Sequence, residues 1–272
     1  MSRVLVVGAS GVYGSWLVRL CREKLGDTVI EADVQDEARL EKLARRAEAA
    51  IVAVPIGAAP GVASRVAIGL GEEGIVVDVS GFKTPVFMAL TGRPASFALL
   101  HPMCVPPEAL TLGDETLIVA YERVATDCPQ QAWYARFRAA LGGRAVFSSI
   151  SEHDSVVTTI LQAELHAVLL GYAETLVAAQ VPIERALEMS TKLSRPVLEA
   201  VRRHFSRGQV GIFTATQVAV ANEWGLRDYV PKLAKGIEDV AAAAKSDPDG
   251  LRARWLAAQE ALGFGPREGE KK

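Results

Sequence analysis

The sequence predicts an α/β protein: a largely apolar parallel sheet covered by helices on both faces, followed by an all-helical second half. Three observations lead there. Short β-branched runs alternate with amphipathic helical stretches up to about residue 150. Those runs are apolar at nearly every position, as strands buried on both faces are. From about residue 151 onward no convincing strand recurs, and long helical periodicities take over.

The elements follow in order. "RVLVVGA" is a first strand, and "GSWLVRLCREKLG" a helix that Gly26 can stop. "DTVIEADV" is a second strand and "DEARLEKLARRA" a charged amphipathic helix. "AAIVAVPI", ended by Pro55, "GIVVDVSG", "SFALLHPM", "ETLIVAYER" and "RAVFSSI" supply strands three to seven. This alternation predicts the doubly wound (Rossmann) architecture over residues 1–150. Residues 151–272 form the expected helical domain. Its first helix, "DSVVTTILQAELHAVLLGYAETLVAAQ", is apolar on most faces, which predicts burial against a second copy and hence a homodimer.

Composition narrows the function. Thirty Lys and Arg against 32 Asp and Glu give a net charge of −2, and no basic run is long enough for a nucleic-acid surface. No apolar run reaches the ~18 residues of a membrane span, and the chain enters its first strand directly after Met-Ser-Arg, so the expectation is a cytoplasmic protein with no membrane partner. Cys21, Cys104 and Cys128 form no C-x-x-C pair, and the four histidines form no H-E-x-x-H pattern, so no metal site is expected.

The first strand runs into "GASGVYG". Taking Ala9-Ser10-Gly11-Val12-Tyr13-Gly14 as the glycine hexad, with Gly8 just before it, Gly11 lets the backbone approach a pyrophosphate and Gly14 lets helix and strand pack closely. The helix N-terminus then offers N–H groups and a positive dipole end to phosphates. Asp33 closes the second strand, about 20 residues on, where a carboxylate can accept from both ribose hydroxyls and repel a 2′-phosphate. No arginine occupies positions 34 to 38, so NAD rather than NADP is the expected cofactor. In an open α/β sheet the ends of later strands line the ligand crevice. Here those ends carry Val54-Pro55, expected beside the nicotinamide, then "DVSGFK" and "LLHPMCVPP", which put a Lys and a His at adjacent strand ends where proton chemistry is possible.

Together these segments resemble the prephenate dehydrogenase family, which includes arogenate and cyclohexadienyl dehydrogenases. The resemblance rests on Val54-Pro55-Ile56, Asp78 with Lys83, His101-Pro102-Met103, and Glu152-His153-Asp154 leading to Gln162 and His166, and it spans residues 4 to about 225. It implies oxidative decarboxylation of prephenate to 4-hydroxyphenylpyruvate by hydride transfer to NAD. His101 matches the family's catalytic histidine, the acceptor of the ring-hydroxyl proton. Lys83 matches the family's lysine, near the substrate or orienting the site, and Ser80 is a further candidate there. "VRRHF" places Arg203 on the arginine that binds a substrate carboxylate, with Arg202 and Arg207 as rivals. Gln162 and His166, four residues apart, share a helix face that in the family looks into the cleft. His153-Asp154 is read as the entry to the helical domain and the cap of its first helix.

The sequence departs from the family pattern in places. Gly81 stands where the family often has Ser, with Ser80 one residue earlier, and Cys104-Val105 stand where a glycine usually follows H-P-M. Alternatives therefore stay open: an arogenate dehydrogenase, another two-domain NAD(P)-dependent reductase, or an NAD-binding module without catalysis.

Overall fold

The computed structural model describes residues 1–104, 110–206, 210–222 and 226–262. All seven expected strands are present: β1 (Arg3–Val7), β2 (Thr28–Ala32), β3 (Ala49–Val52), β4 (Ile75–Asp78), β5 (Ser96–Pro102), β6 (Thr116–Arg123) and β7 (Arg144–Phe147). They form one sheet in the order β2-β1-β3-β4-β5-β6-β7. The sheet is mostly parallel, as expected, with one antiparallel pairing. β1 to β5 are parallel, but β6 runs antiparallel to β5, and β7 then follows β6 in parallel. A parallel return needs a crossover element to carry the chain to the other end of the sheet. Residues 110–115 hold no helix, and the Met103 N–H donates to the Thr116 carbonyl at 2.8 Å, so the chain doubles back beside β5.

Alternation along the strands divides the core into two layers. Val4 and Val6 of β1 face α1 (Val12–Arg19) and α5 (Gln131–Leu141), meeting Trp16, Leu17, Trp133 and Phe137. Leu5 and Val7 face α2 (Leu40–Ala44), α3 (Ala59–Leu70) and α4 (Thr84–Leu90), meeting Leu40, Val66 and Val86. Asp27 ties the first layer to the chain's start. Its carboxylate accepts from the Trp133 indole at 2.8 Å and from the Ser2 N–H at 3.1 Å. The indole also stacks on Phe137, with ring centroids 5.2 Å apart.

Beyond β7 the described residues hold only helices: α6 (Ile150–Ala178), α7 (Ile183–Glu188), α8 (Arg195–Ser206), α9 (Val210–Asn222), α10 (Tyr229–Ser246) and α11 (Pro248–Ala261). The middle of α6, His153–Glu164, winds as a wider π-helix, a local form that recurs at functional sites. One side of α6 lies on the strand ends of the sheet, where Phe82, Ala163, Val220 and Leu226 form a third apolar cluster. Its other side leaves Ile160, Leu161, Leu165, Leu170 and Val177 exposed. By length and mean hydropathy alone α6 is apolar enough to cross a membrane, although no uninterrupted apolar run in it reaches that length. Polar residues are scattered along it. Two of them, His153 and Asp154, are buried against the sheet half.

The Asp27 junction can be checked directly. Trp133→Phe keeps an aromatic ring beside Phe137 but removes a donor from a buried carboxylate, so a loss of about 1.5–3 kcal/mol is expected. Urea denaturation of the variant against the parent measures it, and an unchanged midpoint would show that the indole bond contributes nothing.

Candidate active site

The strand order reverses at β1, with β2 on one side and β3 on the other, which opens a crevice at the C-terminal ends of these strands. The glycine-rich turn lies there. Gly8 has a φ of 86°, and a Cβ on it would come 2.4 Å from the Ala53 carbonyl oxygen. A Cβ on Gly14 would come 1.8 Å from the Gly8 carbonyl oxygen. Gly8, rather than the buried Ala9, therefore fills the tight-turn place, and the motif is spaced G-x-x-G-x-x-G. Gly11 is the N-cap of α1, so Val12 and Tyr13 occupy the helix's first turn, the place where backbone N–H groups are available to anionic oxygens. The Ser10 N–H donates to the Asp33 carboxylate at 3.1 Å, which holds that side chain against the turn. Val54 packs against Gly8, and the exposed Pro55 starts the turn into α3, its carbonyl accepting from Ala58 at 2.9 Å. The Tyr13 hydroxyl donates to the Cys104 carbonyl, so the turn is joined to the end of β5. Burial, then the neighbouring Cys104, push the ionisation of that hydroxyl up.

Along the same crevice a chain of polar side chains runs from α6 to β5. Asp154 Oδ1 lies 2.8 Å from His153 Nδ1, and His153 Nε2 lies 2.9 Å from His101 Nδ1. His101 Nε2 lies 3.3 Å from Gln162 Nε2. Burial, then the His153 ring and the Lys83 ammonium, hold His101 well below the usual histidine range. Burial also lowers His153, against the opposing hydrogen bond that it donates to Asp154. Burial alone would raise the Asp154 carboxyl, but hydrogen bonds from His153, Thr84 and the Lys83 backbone outweigh it and bring it below its ordinary value. Gly81 lies over the His101 ring. A Cβ on Gly81 would stand 3.7 Å from His101 Cε1 and 3.5 Å from Gln162 Oε1.

Lys83 sits beneath this chain with no exposed surface. Its ammonium donates to Asp78 Oδ2 at 2.6 Å and to the Leu100 carbonyl at 2.7 Å. Burial pulls its ionisation down, against the opposing pull of Asp78. The Leu100 carbonyl belongs to an irregularity in the β5–β6 register between Leu99 and Leu100, immediately before His101. Lys83 thus braces the bend that presents the histidine; sealed from solvent, it has no surface with which to touch a substrate. Ser80 is also committed within the protein, its hydroxyl donating to Asp78 Oδ2 at 3.0 Å.

The helical half supplies the far wall. His166 follows Gln162 by one turn of α6 and is half-buried, its ring 5.0 Å from that of His204 on α8. Burial and His204 push His166 down to about 4. Arg203 is exposed beside His204, and Arg202 pairs with Glu184 at 3.6 Å. Arg207 and Val105 lie outside the described residues.

One reading is corrected. Ser149, not His153-Asp154, caps α6, its hydroxyl accepting from the Glu152 N–H at 3.1 Å. Asp154 instead accepts from the backbone N–H groups of Lys83 and Thr84, at 2.9 and 2.8 Å, and so caps α4 across the crevice. Sequence reasoning missed these two residues as site components. The signal was present in the Glu152-His153-Asp154 stretch, but its partners lie 52 to 71 positions away in the chain.

No protein-family model matches the chain, and no curated protein matches it. Solved structures do. Prephenate dehydrogenase from Aquifex aeolicus, crystallised with hydroxyphenyl propionate and NAD+, superposes with a TM-score of 0.65 at 15 % identity, over 97 % of this chain and 98 % of that one. A putative prephenate dehydrogenase from Corynebacterium glutamicum gives 0.62 at 17 % identity, over 96 % and 89 %. Synechocystis arogenate dehydrogenase gives 0.59 at 18 % identity, over 96 % and 98 %. The chain shares the fold of these dehydrogenases along nearly its whole length.

The electrostatics of the two rings lead to a pH test. Both are harder to protonate in the folded chain than in the unfolded one. Their contribution to stability is fully present above the ordinary value of 6.5 and is lost as pH falls below it, toward the lowered folded-state values. In NMR titrations the His101 ring is expected to reach half-protonation below 6.5, with urea midpoints falling over the same range. A midpoint at or above 6.5 would contradict the buried, neutral ring.

Proposed function

We propose that this chain is an NAD-dependent dehydrogenase that converts prephenate to 4-hydroxyphenylpyruvate. The observation that carries the reading is His101: a buried, neutral imidazole held at a strand end in the same crevice as the glycine-rich turn. The likeness to prephenate and arogenate dehydrogenases supports it at the level of fold.

Bound NAD would supply the hydride acceptor for the ring carbon that bears the substrate hydroxyl. The N-terminal turn of α1, with Gly8, Gly11 and Gly14, would receive the pyrophosphate, and Asp33 the ribose hydroxyls. Val54 and Pro55 would border the nicotinamide. A neutral His101 has a lone pair to take the hydroxyl proton as that carbon becomes carbonyl-like. The ring carboxylate then leaves as CO2, its electron pair aromatises the ring, and the proton returns from His101 to the phenolate oxygen. Lys83 and Ser80 act behind His101, through Asp78 and the Leu100 carbonyl. Gln162 and His166 line the substrate side, and Arg203 on α8 is the candidate for a substrate carboxylate. We place the boundary between the dinucleotide-binding and helical domains at residues 150 and 151.

The assay follows absorbance of NADH with purified protein, NAD and prephenate, and then arogenate. NADH formation with prephenate is expected. Turnover of arogenate alone would reassign the substrate, and turnover of neither despite NAD binding would favour another reductase or a binding module. His101→Asn should lower kcat by about 10²–10⁴-fold, the usual worth of a positioned proton acceptor, and leave NAD affinity unchanged.

We also propose a homodimer built on the exposed apolar side of α6, where Leu161, Leu165 and Val177 are each at least 48 % exposed. Sedimentation equilibrium should return twice the chain mass, and Leu165→Glu should shift the population toward monomer. A monomer at all concentrations would overturn this.

A further inference from the structure

We propose that His153 and Asp154 are positioning residues that fix the tautomer of His101, so that its Nε2 presents a lone pair to the crevice. Hydrogen-bond polarity along the chain carries the argument. Asp154 accepts backbone N–H groups from Lys83 and Thr84, which is the behaviour of a carboxylate. As an acceptor 2.8 Å from His153 Nδ1, it requires the proton on that nitrogen. A neutral His153 then has only a lone pair at Nε2, 2.9 Å from His101 Nδ1. That contact is a hydrogen bond only if His101 carries its proton on Nδ1, and in a neutral ring this leaves Nε2 unprotonated. The far end agrees, because His101 Nε2 lies 3.3 Å from the Gln162 side-chain nitrogen, a donor.

The opposite polarity fails at a definite place. A proton on His101 Nε2 would face the Gln162 donor, and His101 Nδ1 and His153 Nε2 would both present lone pairs. With His153 fully buried and His101 nearly so, water has little access to relieve either mismatch. The other charged side chains facing the two rings are those of Lys83 and Asp78; the Lys83 ammonium donates to the Asp78 carboxylate and to the Leu100 carbonyl, and neither side chain takes part in the chain of rings. Asp154 also caps α4 and binds the β4–α4 turn. The contact that seats the helical half on the sheet is therefore the same one that orients the proton acceptor.

For its effect on rate, this inference rests on the proposed dehydrogenase reading; for the tautomer itself it does not. The chain has four histidines, so ¹⁵N labelling of histidine gives a spectrum simple enough to assign. In the intact protein at neutral pH, His101 is expected with a protonated Nδ1 and an unprotonated Nε2. An Nε2–H tautomer would overturn the proposal without recourse to any variant. His153→Leu should move His101 to the Nε2–H form and lower kcat about 10–100-fold, with the KM for NAD within twofold of the parent. His153→Gln, which can accept from His101 and donate to Asp154 at once, should restore both the tautomer and most of the rate. A His101 tautomer unchanged in His153→Leu would also overturn the proposal. The predicted tautomer in a protein that turns over neither prephenate nor arogenate would support the positioning role and count against the dehydrogenase reading alone.

Discussion

The Asp154 carboxylate is the interaction on which the rest of the structure depends. It lies on the first helix of the second half, yet its oxygens are occupied by the β4–α4 turn and by His153. A buried carboxylate is tolerated only when its lone pairs are filled, so α6 has a single acceptable depth and rotation on the sheet. Thr158 reinforces the seating, its hydroxyl donating to the Gly81 carbonyl at 2.7 Å. Once α6 is seated, Gln162 reaches His101 and Ala163 reaches Phe82.

A second constraint lies beneath. Lys83 and Asp78 form an ion pair with no exposed side-chain surface on either partner. Such a pair contributes little net stability, but removing one member costs on the order of 3–5 kcal/mol because the other is left charged and dry. Its specific work is geometric. By bonding to the Leu100 carbonyl, Lys83 holds the irregular step in β5 that comes just before His101. The glycine-rich turn follows the same logic with backbone alone. Gly14 allows α1 to approach the turn so closely that no side chain fits between them, and the Tyr13 hydroxyl then bonds to the chain just beyond β5.

The departures from the family pattern take on a physical meaning. Ser80, one residue earlier than expected, bonds to Asp78 rather than reaching the histidine, and Gly81 lies close over the His101 ring. A side chain at that position would stand in contact with Gln162, Ile56 and the His101 ring.

The sequence by itself determined the seven strands, the helical second half, the glycine-rich turn with Asp33, and His101 at a strand end. These are properties of local pattern: side-chain period, β-branching, and glycine where the backbone must pass close. Only the tertiary structure decided the direction of β6, the first-glycine role of Gly8, the burial of Lys83, and the partners of His153 and Asp154. Strand direction depends on whether the intervening chain can build a crossover, and strand propensity does not report that. A polar residue's partner depends on which distant segment packs against it. His153 read locally is one more residue at the start of a helix; against β5 it meets a ring 52 residues away in the chain.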